Sequence, residues 1–139
     1  MEQSPYITHS EILLNGHYGS SCRLQEYALS LFAPHRFPFS PEQHLGGFDV
    51  RHRTIFDEMT AWHLKHGEHE PSAKKICEAI IAEREAEAIS NLQELTRLRA
   101  MRPEEYLYPN GEDRMSYDAA LNACELHRTQ HLAKGFLSQ

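Results

Sequence analysis

The stretch from Ser72 to about Met101 most constrains how this chain folds. Pro71 stands at its start and Pro103 beyond its end, and Ala, Glu, Leu and Arg fill the interval, so it predicts one long helix. Within it Cys77, Ile81, Arg84, Ala88, Asn91, Leu95 and Leu98 alternate in steps of four and three, the spacing of a coiled-coil seam. Arg84 and Asn91 sit one heptad apart on that seam and need partners if buried, because an unpaired charge or amide in a core costs several kcal/mol. One reading makes this polar layer the register device of a homodimer or the receptor of an acidic partner. In the other, Ile76, Ile80, Ile81 and Leu92 shift the buried face, and Arg84 snorkels to its edge.

Three further segments read as helices. Leu24, Tyr27, Ala28, Leu31 and Phe32 recur at helical spacing from about Ser21 to Ala33, and Pro34 stops them. Asp49 is a good N-cap for a second segment carrying Ile55, Phe56, Met59 and Trp62 on one face, ended by Gly67. Ser116 is expected to cap the last, which runs through Leu121, Cys124 and His127 to Lys134 and stops at Gly135. The fold class is therefore all-α, a single-domain bundle of about four main helices over residues 1–139, with 1–20 irregular. Between Pro34 and Pro41, Phe37 and Phe39 alternate with prolines in a loop expected to pack its rings against the bundle. Strand is expected only as a very short hairpin, pairing Tyr106 to Tyr108 with Met115 to Tyr117 across Pro109-Asn110-Gly111.

Charge and motifs narrow the function. With 20 acidic against 14 basic side chains the formal net charge is -6, so the basic footprint of a phosphate-tracking protein is missing and direct nucleic-acid binding is not expected. Protonating all 10 histidines would carry the charge to +4, which makes the surface sensitive to pH near the ordinary histidine pKa of about 6.5. The apolar runs are short, such as Ala79-Ile80-Ile81-Ala82, and predict neither a membrane span nor a secretory signal. Cys22, Cys77 and Cys124 are odd in number and far apart, which fits a reducing cytoplasm better than a disulfide framework.

Candidate chemistry is sparse. Cys124, His127 and His131 lie at i, i+3 and i+7 and are acceptable zinc ligands, and His52, His63 and His66 share the apolar face of the second helix. No His-Glu-x-x-His, Glu-x-x-His or Cys-x-x-Cys stands behind a metal site, so no cofactor is expected, zinc or iron being the alternative. Glu83, Glu87 and Glu94 form a carboxylate stripe, which a solvated helix face explains as well as a ligand row does. Gly-rich phosphate loops and Gly-x-Ser-x-Gly are missing.

Gly19-Ser20-Ser21 with Arg23-Leu24, then Leu29-Ser30-Leu31, then Gly47-Phe48-Asp49 give the segment from Asn15 to Pro71 an order that resembles small plasmid- and prophage-encoded proteins without assigned activity. That resemblance implies a helical accessory protein of a mobile element and carries over no catalytic residue. The Pro34 to Pro41 loop departs from it.

By elimination the chain reads as a cytoplasmic protein-protein interaction module, an inhibitor or adaptor of a mobile element acting, for example, against host defence. Its contact residues are expected to be Arg84, Asn91, Leu95, Leu98, Phe37, Phe39, Tyr106 and Tyr108. The alternatives are a small metal-dependent helical enzyme built on Cys124, His127 and His131, and an acidic DNA mimic or nucleic-acid accessory protein.

Overall fold

The computed structural model describes residues 3–16, 19–40, 45–67, 69–106 and 113–138. The fold is all-α: among the described residues 79% are helical, in six α-helices and two 3-10 turns, and none is in a strand. They are α1 (Pro5–Thr8), α2 (Ser10–Asn15), α3 (Gly19–Phe32), α4 (Val50–His66), α5 (Pro71–Ala100) and α6 (Asp113–Ala133), with 3-10 turns at Leu45–Gly47 and Pro103–Glu105. No helix of the described residues is long and apolar enough to cross a membrane. Two compact units divide the chain, Met1–Ala82 and Glu83–Gln139, and α5 runs through the boundary.

In the first unit, short α1 and α2 precede α3. Ser4 caps α1 through its hydroxyl, which accepts from the Tyr6 amide at 3.2 Å, and Pro5 sits at the first helical position, where its missing N–H costs nothing. The α2–α3 corner closes tightly: the Ser21 hydroxyl donates to the Ile12 carbonyl at 2.7 Å, and Gln25 donates to the Gly16 carbonyl at 3.0 Å. A Cβ at Gly16 would overlap the Ser21 side chain, so only glycine fits there. The expectation that 1–20 is irregular is corrected: the described residues of this stretch hold α1, α2 with Ile12, Leu13 and Leu14, and the start of α3, because the Ser4 cap and the Ser21 and Gln25 bonds satisfy these short helices locally.

Helices α3 and α4 meet through aromatic rings. Tyr27 stacks on Phe56 with centroids 4.1 Å apart, and Phe39 reaches both from the proline-rich loop, 5.1 Å from Tyr27 and 6.4 Å from Phe56. That loop packs its rings inward as expected, and Phe37 is buried. Asp49 caps α4 as the sequence predicts, accepting from the His52 amide at 2.9 Å and from the His52 ring at 2.7 Å. Gly67 ends it at φ 82°, a left-handed backbone that glycine adopts without a Cβ penalty.

Helix α5 starts where Pro71 predicts, but its cap is Glu70. The Glu70 carboxylate accepts from the amides of Ser72 at 3.1 Å and Ala73 at 2.9 Å, and from the Ser72 hydroxyl. Ser4 in turn lies 2.6 Å from the Ser72 hydroxyl, tying the start of α1 to the start of α5. Burial works to raise the Glu70 pKa, yet these hydrogen bonds outweigh it and hold the carboxyl at about 2.

In the second unit the later part of α5 runs to Ala100 and α6 follows the 3-10 turn. Asn91 donates to the Cys124 carbonyl at 2.9 Å, and the Tyr117 hydroxyl donates to the Leu98 carbonyl at 2.7 Å. Two sequence expectations are corrected here. Helix α6 begins at Asp113, so Ser116 lies inside it and does not cap it, and Met115 to Tyr117 are helical and cannot form a hairpin strand. The other half of that hairpin, with Tyr108, lies outside the described residues apart from Tyr106.

Losing the Glu70 cap in Glu70→Ala should lower stability at neutral pH by about 1 kcal/mol. The carboxylate is stabilising above its ordinary pKa of 4.5, and that contribution drains away as the pH falls toward about 2. Urea unfolding of both proteins should therefore show their stability gap closing across that window; a gap that stays constant would contradict the cap.

Candidate functional site

Helix α4 is the element whose chemistry the rest of the first unit presents. Its inner face buries His52, Ile55, Phe56 and Met59. Near its C-terminal end, Trp62 and His63 join Tyr6 and Phe32 around a small cleft, and the Trp62 and His66 rings lie 3.9 Å apart. The Trp62 indole N–H, shielded from solvent, faces Glu70 and helps hold it ionised without reaching hydrogen-bond geometry. The cleft encloses about 10 Å³. That is room for one water molecule, whereas small-molecule sites occupy about 300–1,000 Å³.

The outer face of α4 is different. Val50 is 85% exposed and Leu64 80% exposed. Residues 7 and 14 apart return to nearly the same side of a helix, so Val50, Asp57 and Leu64 form one outward stripe. Arg53 lies beside it and pairs with Asp57 at 3.4 Å. Sequence reading passed over this stripe because helical periodicity identifies the buried face, and an outward Val or Leu looks like any other residue off that face.

The seam residues turn inward. Leu95 and Leu98 are fully buried, so they serve the packing of the chain itself and offer no exposed docking face. Asn91 is half-buried and spends its amide on the Cys124 carbonyl. Arg84 lies along the edge and grips Glu87 through both carboxylate oxygens at 3.1 and 3.2 Å, the snorkelling alternative. Of the aromatic candidates, Phe37 is buried, Phe39 packs on Tyr27 and Phe56, and half-buried Tyr106 meets Tyr117 edge-on at 6.2 Å.

Among the described residues no group of three His, Cys, Asp or Glu side chains converges as a metal site requires, so Cys124, His127 and His131 do not make one ligand set. His52 is committed to the Asp49 cap. The carboxylate stripe is broken up by arginine, since Glu87 pairs with Arg84 and Glu94 with Arg97. Burial raises the pKa of Cys124, and it pushes the Cys77 thiol up to about 12, which keeps both protonated and unreactive at neutral pH. The start of α3 meets the 3-10 turn before α4: the Ser20 hydroxyl donates to the Gly47 carbonyl at 3.3 Å, and the Arg23 guanidinium fills the position a Gly47 Cβ would need. No family model matches the chain, and neither a curated protein nor a solved structure matches it significantly.

Leu95→Asp places an unpaired charge in the core of the second unit. It should abolish cooperative unfolding of the helical chain, because burying a lone carboxylate costs more than a marginally stable protein has to spare. A folded variant by circular dichroism, with an unchanged thermal midpoint, would mean that Leu95 is not core.

Proposed function

We propose that the chain is a protein-protein interaction module, an inhibitor or adaptor of a mobile genetic element working in the cytoplasm, and that it docks its partner through the outer stripe of α4. The observation that carries this reading is the pair of strongly exposed aliphatic side chains, Val50 and Leu64, on one side of one helix. An exposed helix face with apolar anchors two heptads apart suits a partner groove that buries them, the helix-in-groove mode of recognition. The Arg53–Asp57 pair between the anchors supplies polar groups for register. Three free cysteines agree with a reducing compartment, and the order of residues from Asn15 to Pro71 supports the mobile-element origin.

The double variant Val50→Asp, Leu64→Lys isolates this face. An acid in the first turn and a base in the last suit the helix dipole, so folding stability should change by no more than about 0.5 kcal/mol. Affinity capture from the source cells should retain a specific protein on the wild-type chain and lose it on the variant, since anchors of this kind contribute on the order of 1–2 kcal/mol each. Equal capture by both chains, or none above background by either, would overturn the proposal.

A further inference from the structure

The C-terminal end of α6 closes by a Schellman arrangement. The Phe136 amide donates to the His131 carbonyl at 2.9 Å and the Gly135 amide to the Leu132 carbonyl at 3.2 Å, with Gly135 at φ 83° and Phe136 buried. His131 thus supplies, through its backbone carbonyl, the acceptor that anchors the turn, and its side chain sits at the same helix end. Its ring is half-buried, and Nδ1 has neither solvent contact nor a hydrogen-bond partner. A neutral ring tolerates that, because one of its nitrogens is a bare acceptor. A protonated ring has two donors, and the one at Nδ1 would be left without an acceptor.

The surroundings add to this cost. His127 and Lys134 act on His131 from its own helix, and Arg84 and Glu87 act from α5. Glu87 is the one anion among them, and both its oxygens already engage Arg84. The C-terminal end of a helix ordinarily favours a cation. Here burial, followed by His127, outweighs that preference and lowers the His131 pKa below its ordinary 6.5.

We propose that His131 is an acid-sensitive latch: with its ring neutral the end of α6 stays closed, and protonation, which strands a donor at the buried Nδ1, opens the helix end that carries it and so uncovers Phe136. The sign follows from linkage. A histidine whose folded pKa lies below its unfolded value leaves stability intact at neutral pH; stability falls as the pH drops through the unfolded value and levels off below the folded one. The trigger is a proton from solvent, so no other ligand is required.

The experiment combines an NMR titration of the His131 ring with amide hydrogen exchange of Gly135 and Phe136, corrected for intrinsic rates, between pH 7.5 and 5. In the wild-type chain, protection of the Phe136 amide should fall along the same curve on which the ring takes up its proton, by about tenfold for each pKa unit of depression. His131→Gln should keep equal protection at both ends of the range. His127→Gln removes the neighbouring imidazole that disfavours a charged His131 ring and should move the midpoint upward while preserving the response. Should His131→Gln lose the turn at every pH, the wild-type titration and His127→Gln still decide the matter. Protection independent of pH in the wild-type chain, or a loss that persists in a folded His131→Gln, would overturn the latch.

Discussion

The Glu70 carboxylate decides where α5 begins, and α5 is the one element on which both units draw. A helix start leaves backbone N–H groups without partners, and Glu70 takes two of them while also accepting from the Ser72 hydroxyl. Because Ser4 is bound to Ser72, the same contact anchors the first turn of the chain. Tyr6 follows directly, caps onto Ser4 and is buried. It borders the small cleft together with Phe32 of α3, Trp62 of α4 and Ala73 of α5. Cys77, one helical stretch further along α5, donates weakly to the Ala28 carbonyl at 3.5 Å and closes that side of the core.

The other end of α5 is held by a side chain from α6. The Tyr117 hydroxyl bonds the Leu98 carbonyl, one of the acceptors that a helix C-terminus leaves open, and lies 3.4 Å from the Met101 carbonyl. Asn91 bonds the Cys124 carbonyl from within the same seam. Buried polar groups of this kind cost little when satisfied and much when not, so they favour one alignment of α6 on α5 over its neighbours in register. Four Arg–Glu pairs, at Arg84, Arg97, Arg99 and Arg102, line the exposed flanks and add modestly.

Much of this was legible in the sequence wherever the signal is local. Asp49 and Gly67 bracket α4 because a short carboxylate before an apolar period and a glycine after it act within one turn. Pro71 and Pro103 frame α5 for the same reason. Ser116 misled because a serine before an apolar stretch suits a helix interior facing solvent as well as a cap, and the true start lies three residues earlier. Glu70 was missed because the strongest N-cap residues have shorter side chains, and its pose leans on Ser4, 66 residues away in sequence. The seam period was readable, but whether α6 or a second chain fills it is a tertiary fact that no spacing encodes. Val50 and Leu64 stood in plain view and carried no signal, because exposure belongs to the packed molecule rather than to the residue.

Function then rests on what the interior leaves over. The rings of Phe37, Phe39 and Tyr106, the carboxylates of Glu87 and Glu94 and the amide of Asn91 are all spent on internal contacts, and of the exposed aliphatic side chains Val50 and Leu64 on the outer side of α4 stand out furthest. In the first unit the link between α1 and α5 is set at the first turn of α5. Residue-resolved hydrogen exchange at neutral pH reads this directly through the amides of Ser72 and Ala73, which exchange freely in a helix whose start is uncapped. The account predicts that both are protected along with the interior of α5, because both donate to Glu70. Exchange of both at the rate of an unstructured peptide would contradict it.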